Sequence, residues 1–523
     1  MSGSQLLTRR IAIAIGTFVF VPMMTLALAG PAAAEIKYDI SFARPENHAF
    51  QVTMTVPAGK RDVLAAMPAW NALYEIRDFA YRVHSLSVLD SNAAVPHVPD
   101  EIDKQTWRLC RCASMKEPPQ AITFQYSIDW NDPGPFDSQL NEHHAFLNLA
   151  EVLMYAPDRR SEPVEVEFKD VPADWTLIAE LHPGPDPNSF VAANYDALVD
   201  APVEAGEFSE LDFDEDGAHF RVAVDGKSYN RDRLENDLQR ITDYEMRLMG
   251  GPPFREYTFL LHLGSLADVG GGGMEHANST AISAHSWEGL EGLCAHEFFH
   301  AWNVKRIRPQ SFEPIDYTKE QYTRALWFAE GVTSAYASYT LVRTGLWSKT
   351  EFYNDLASQI TDLQSRPARK WQSVDDASLD TWLDKYAAYN NSSRSISYYG
   401  KGQILGVMLD LAIRDATNNH KSLDDVMQLM NDEYARQGKF YNGDAAIRAA
   451  VEKVADTDFG DFFRRYVAGV DEIPYDKFLA LAGLGLKSTG GSSGEAYSID
   501  ELPQATERQM RIRDGILHAT TNR

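Results

Sequence analysis

The spacing of apolar residues changes once along this chain, and the change divides it. From Ile36 to about Ala205 the period is two. "FQVTMTV" and "VEVEFKDV" alternate apolar and polar residues, and "AITFQYSI" is rich in strand formers. Turn clusters such as "PAG", "NDPGPFD" and "HPGPDPN" separate these runs. Residues 35–205 are therefore expected to form an N-terminal β domain of sandwich type. From about Phe208 to Gly264 the character is mixed. "ENDLQRITDYEMRLMG" has helical spacing and ends at Gly250 and Gly251, which suit a helix C-terminus, and "YTFLLHLG" reads as a buried strand. From Trp287 onward the period is helical for long stretches, as in "KSLDDVMQLMNDEYARQG" and "DFGDFFRRYVAGV". The implied fold class is multidomain α+β: the β domain, a mixed unit over 206–345, and a helical part over 346–487. Residues 488–523 begin with "STGGSSG" and read as a polar linker and tail. A chain of 523 residues is too long for a single core, and 44% hydrophobic with 11% aromatic residues is enough to build several.

Residues 1–34 read as a secretory signal. Arg9 and Arg10 precede an apolar run from Ile11 to about Leu28, and "PAAAE" offers small residues for cleavage after Ala34. A membrane anchor is the alternative, but Pro22 interrupts the run and a cleavage-like motif ends it. The expected location is periplasmic or secreted, with no stable membrane anchor after cleavage, since no other apolar run is long enough to span a bilayer. The chain carries 49 basic against 75 acidic side chains, a net charge of −26. Such a surface repels nucleic acid, so no nucleic-acid partner is expected. Three cysteines, Cys110, Cys112 and Cys294, make no disulfide framework. Cys110 and Cys112 in "LCRC" can pair only across a tight geometry, and isolated thiols on a strand are the simpler reading.

The stretch "EGLCAHEFFHAWNVKRIRP" carries chemistry. His296, Glu297 and His300 fit the pattern HExxH. A helix stacks residues four apart on one face, so two imidazoles can reach one zinc ion, with Glu297 placed to take a proton from water. A bare match of this length also arises by chance, as two histidines that merely share a helix. Catalytic zinc uses three protein ligands and an open position. Glu330, an acid inside the apolar run "ALWFAEGVTSAY", is the best third ligand, because a buried carboxylate is costly unless paired or bound to metal; otherwise it is a helix-end carboxylate. Upstream, "GGGGMEHANST" lacks the Lys-Ser/Thr pair of a phosphate cradle and reads as a flexible or edge segment that lets a substrate backbone approach. There Glu275 can meet a cationic group, and His276 reads as a local hydrogen-bonding residue. Tyr398 and Tyr399 precede a helix in "SISYYGKGQILGVMLDLAIR", and a tyrosine hydroxyl suits a developing oxyanion, although most tyrosines only pack.

Taken together, "HEFFHAWNVKRIRP", "LWFAEGVTSAY", "GGMEHANST" and "YYGKG" resemble the glycyl aminopeptidase family of zinc metallopeptidases, family sixty-one. "AWNALYEIRDFAYRV", "DKQTWRL", "HAFLNLAEVLMY" and "DFFRRYVAGVDEIPY" match as well, in order, so the resemblance covers roughly residues 36–487. It implies a gluzincin: a thermolysin-like catalytic domain over 206–345 behind the β domain. It implies one zinc ion on His296, His300 and Glu330, with Glu297 as base. By similarity to related aminopeptidases, Glu275 holds the substrate's free α-amino group and Tyr399 stabilises the oxyanion. The expected partners are peptides with a free N-terminus, with a small first residue, Gly or Ala. Two departures stand out. The tail is too short for the PDZ domain that family members usually carry, and "PAWNALYEIRDF" lacks the usual Pro-Gly-Ser turn after its tryptophan. Two other functions fit less well: a zinc endopeptidase or other zinc hydrolase on the same scaffold, and a non-catalytic periplasmic binding or scaffolding protein.

Overall fold

The computed structural model describes residues 36–518, except 72, 90–96, 228, 489 and 491–494. The signal-like segment therefore lies outside the described residues. The period-two run "FQVTMTV" falls in the strand Ala49–Pro57, where Phe50, Val52, Met54 and Val56 all point into the core. That strand pairs antiparallel with Ile36–Ser41 and Ala121–Asp129 near the middle of a seven-stranded sheet, and Ile36–Ser41 runs parallel to Val164–Lys169. A four-stranded sheet of Thr176–Ala179, Val203–Gly206, His144–Leu147 and Gln139–Leu140 shares the same apolar core. The fold is α+β with a β-rich N-terminal domain.

A second, larger core begins at Leu211. It is built on a five-stranded sheet in the order Ser209–Glu215, Ala218–Asp225, Glu256–Leu263, Ser279–Ala284, Gly272–Glu275. The three central strands are parallel, and Gly272–Glu275 closes the edge antiparallel. "YTFLLHLG" is the middle strand, with Tyr257 to Leu263 all buried, as expected of a strand covered on both faces. The helix Arg231–Met249 ends at Gly250, whose φ of 80° gives the left-handed cap. The later helices gather around Tyr398–Ala416, which is buried over most of its length. The two cores meet where Phe146 and Ile178 of the four-stranded sheet pack on Ala223, Leu260 and Ala281 of the five-stranded sheet. Among the described residues no helix is long and apolar enough to cross a membrane.

Two expectations are corrected. The segment after residue 488, read as linker and tail, contains the strand Tyr497–Glu501, paired with Leu484–Ser488, and the helix Glu507–His518. Ile499, Ile512, Ile516 and Leu517 are buried in the large core. These few apolar residues are diluted among charged ones, so the average composition hides a helix anchored along one face. Cys110 and Cys112 are also not isolated: they form a disulfide with a Cα–Cα distance of 5.2 Å, while Cys294 is a buried free thiol. Because Ile512 is fully buried, Ile512→Ala should cost about 2–5 kcal/mol. The readout is the shift in a chemical-denaturation midpoint; an unshifted midpoint would detach the last helix from the core.

Candidate metal centre and active site

The helix Glu291–Phe299 carries His296 and is capped by His300, so the four-residue spacing brings both rings to one face. Their Nε2 atoms are 3.0 Å apart. Glu330 Oε2 lies 3.4 Å from His296 Nε2 and 3.2 Å from His300 Nε2. A tetrahedral ion about 2.0–2.1 Å from each nitrogen has ligand–ligand edges of about 3.3 Å. The three donors match that spacing. Each far ring nitrogen also has a partner. His300 Nδ1 donates to the Asn303 carbonyl at 2.6 Å, which leaves Nε2 as a lone pair aimed at the cluster, and His296 Nδ1 is 3.3 Å from Ser334 Oγ.

Glu330 lies on a π-helical turn, Trp327–Val332, where one extra residue turns the carboxylate toward the histidines. The wide turn loosens the carbonyls of Phe328 and Ala329. Asn303 satisfies them: its Nδ2 donates to Phe328 O at 2.9 Å, and it reaches Ala329 O and Thr333 Oγ1 as well. The buried side chain of Asn303 thus fixes the turn bearing Glu330, while the backbone carbonyl of the same residue fixes His300. Nothing in the residue type of Asn303 announces this, and sequence reasoning missed it.

Two close approaches set the remaining groups. A Cβ on Gly273 would lie 2.4 Å from Glu297 Oε1, so only glycine lets the edge strand pass over the glutamate. That strand ends at Glu275, whose carboxylate lies within 4.8 Å of donor atoms of Glu297 and His300. A Cβ on Gly402 would lie 2.4 Å from Trp327 O, so the Tyr398–Ala416 helix packs backbone to backbone on the π turn. This contact brings Tyr399 to a ring-centroid distance of 6.1 Å from His296. Tyr399 stacks on Tyr398 and is 40 % exposed to the cleft. His276 stays outside the ligand set, with Nδ1 3.6 Å from Asp200 Oδ1.

The field at this cluster favours positive charge, which without a metal is a proton on His300. Burial works against a charge on His300, yet Glu330, Glu275 and Glu297 outweigh it and hold the ring's pKa up at about 10. Burial, seconded by His300, depresses His296 against the pull of Glu330. Burial also opposes the Glu330 carboxylate, but His300 and His296 outweigh it and hold it well below the ordinary range. Glu297 is pushed well above its usual value, by burial first and then by Glu275 and Glu330, with His300 opposing. Burial and the Glu330 carboxylate push the Tyr399 hydroxyl up as well, which keeps it a donor.

All six groups, His296, Glu297, His300, Glu330, Glu275 and Tyr399, line one cavity of about 660 Å3. Trp70, Tyr74 and Phe136 of the N-terminal domain form part of its wall. Tyr74 comes from "PAWNALYEIRDF", where the missing turn is replaced by left-handed Leu73 (φ 61°) and Tyr74 (φ 48°), with Tyr74 stacked on Phe312 at 6.0 Å. Consecutive left-handed non-glycine residues beside a reactive cluster are strain stored at a functional site.

Comparison with known families decides the assignment. The profile for M61 glycyl aminopeptidases matches residues 290–405, and the profile for the M61 peptidase N-terminal domain matches residues 37–207. The chain belongs to the M61 peptidase family. Among solved structures, an aminopeptidase N family protein from Idiomarina loihiensis is similar at 27% identity and a TM-score of 0.80, over 87% of this chain and 79% of that one. An M1 zinc metallopeptidase from Deinococcus radiodurans, in a variant bound to a Tyr-Ser-Ala substrate, shares the fold at 13% identity and a TM-score of 0.50, over 84% of this chain and 94% of that one. A search of curated proteins gives no match. This M61 chain is a metallopeptidase with a thermolysin-like, gluzincin-type fold. Asn303→Ala should weaken metal retention about 10-fold, since it frees the π turn that carries Glu330 while the backbone carbonyl that holds His300 stays in place. Competition against a chelator reads this directly; unchanged retention would remove the role given to Asn303.

Proposed function

We propose that this chain is a zinc-dependent aminopeptidase that removes the first residue of peptides with a free N-terminus. The observation that carries the reading is Glu275: an anionic group at the end of an edge strand, in reach of Glu297 and His300 and inside the cavity. His296, His300 and Glu330 would hold the zinc, which supplies a Lewis acid that polarises the scissile carbonyl and acidifies water. Glu297 takes the proton from the attacking water and passes it to the leaving amine. Tyr399 donates its hydroxyl to the developing oxyanion. Glu275 pairs with the substrate ammonium, which fixes the first residue and excludes blocked termini. The edge strand offers backbone groups along which a peptide can align. The preference for Gly or Ala in the first position rests on the family resemblance alone. Export to the periplasm or beyond is supported by the sequence of residues 1–34 and by the Cys110–Cys112 disulfide, a bond favoured in oxidising compartments. The acidic surface supports peptides rather than nucleic acid as partners.

The test uses glycyl- and alanyl-arylamides beside their N-acetylated twins, with and without a chelator. Cleavage of the free-amine compounds alone, lost on chelation and restored by zinc, is expected; cleavage of the blocked twins would make the enzyme an endopeptidase. Glu275→Gln should lower kcat/KM for free-amine substrates about 10–100-fold, the loss of one charged hydrogen bond. Glu297→Gln should cut activity about 100- to 10,000-fold while the metal stays bound, and retained activity would end its role as base.

A further inference from the structure

A second cluster of metal-type ligands lies at the seam between the two domains. His144 and Glu204 come from adjacent antiparallel strands of the four-stranded sheet, and His262 comes from the central strand of the five-stranded sheet. Glu204 and His262 are buried, and the His144 side chain is 14 % exposed. Glu204 Oε1 is 3.1 Å from His144 Nδ1, and Glu204 Oε2 is 2.7 Å from His262 Nε2. Asp225, beside His262 in the next strand, stands 3.9 Å from His144 Nδ1.

The outer contacts decide what these nitrogens carry. His262 Nδ1 is 3.3 Å from Ser283 Oγ, its neighbour across the sheet. His144 Nε2 is 2.8 Å from Gln139 Oε1, and Gln139 faces the histidine with its oxygen because its amide nitrogen donates to Asn131 Oδ1 at 3.1 Å. The far nitrogen of His144 therefore faces a fixed acceptor, and that of His262 faces a hydroxyl able to accept. The near nitrogen of His144 is then left as a lone pair directed at the shared carboxylate, and that of His262 is a lone pair when Ser283 accepts. The catalytic His300 is built the same way, with its far nitrogen on the Asn303 carbonyl. A lone pair of His144 directed at a buried carboxylate needs positive charge between them, which is a metal ion or an extra proton. A cavity of about 30 Å3, lined by His144, His262, Asp225 and Gln139, adjoins the cluster, enough for a water or a small ion.

We propose that His144, Glu204 and His262 bind a second divalent metal ion, separate from the catalytic centre, with Asp225 beside it. Imidazole and carboxylate donors favour zinc or a similar first-row ion. The ion would clasp the β domain to the catalytic sheet, since two ligands lie on one side of the seam and one on the other.

The experiment counts metal by mass spectrometry in the full chain, loaded with zinc and desalted, and needs no activity. The parent should hold about two zinc ions and the double variant H296A/H300A about one. Adding Glu204→Gln to the double variant should remove that ion and lower the zinc-dependent part of its thermal midpoint. H296A/H300A that is folded by circular dichroism yet holds no zinc would overturn the proposal and leave the cluster a proton-bound one. If the Glu204 variant fails to fold, cobalt loaded into H296A/H300A decides: visible absorption of a nitrogen-ligated ion, lost in a His144→Gln derivative, supports the site, and a featureless spectrum refutes it.

Discussion

Two imidazole nitrogens 3.0 Å apart, each within 3.4 Å of a carboxylate oxygen, cannot rest in a buried site without positive charge among them. Much of the architecture around them serves to keep that arrangement from relaxing. The helix of the motif supplies the spacing of the two rings. A π turn supplies the third donor, at the cost of loosened carbonyls, and Asn303 ties those carbonyls and His300 into one hydrogen-bonded unit. Glu330 and Glu275 supply most of the negative field that raises His300, and a cation placed among these groups meets the same field.

Backbone approach, rather than side-chain packing, sets the tolerances. Gly273 lies over Glu297, and Gly402 lies against the turn that carries Glu330. The Gly402 contact is backbone to backbone and leaves no rotamer to adjust, whereas the Gly273 contact is with the Glu297 side chain. A protein interior is close-packed, so a Cβ added at Gly402 must displace the turn that carries Glu330, and one added at Gly273 must displace the Glu297 carboxylate. The glycines of "GGME", "AEG" and "YYGKG" thus have a steric reason that residue chemistry alone does not give.

What the sequence discloses follows from how local each feature is. The histidine pair is legible because the helical period alone decides which face both rings take. Glu330 is legible as an acid stranded in an apolar run. The alternation in "FQVTMTV" and the unbroken run "YTFLLHLG" are legible because a strand's faces repeat every two residues. Asn303 is not, because its task depends on a π turn 25 residues away. Tyr74 reaches the cavity only through a pair of left-handed residues that no propensity favours. His144, Glu204 and His262 are separated by scores of residues and meet only when two sheets dock. The last helix is hidden in the sequence because its three buried apolar residues, Ile512, Ile516 and Leu517, are averaged over a charged segment.

The seam that holds the second cluster also governs the first. The edge strand bearing Glu275 is wedged between its partner strand Ser279–Ala284 and the turn Pro133 to Phe136 of the β domain. A Cβ on Gly270 would lie 2.7 Å from Gly134 Cα, and one on Gly272 would lie 2.8 Å from the Phe136 ring. On the other side, Ser283 of the partner strand stands beside His262. A slip of the domains past each other therefore shifts Glu275 relative to Glu297, which in the proposed mechanism is the distance between the group that pairs with the substrate ammonium and the base at the scissile bond. A misplacement of about 1 Å costs about 100-fold in rate, so the apolar row of Phe146, Ile178 and Leu260 and the polar row beside it act on catalysis through position alone.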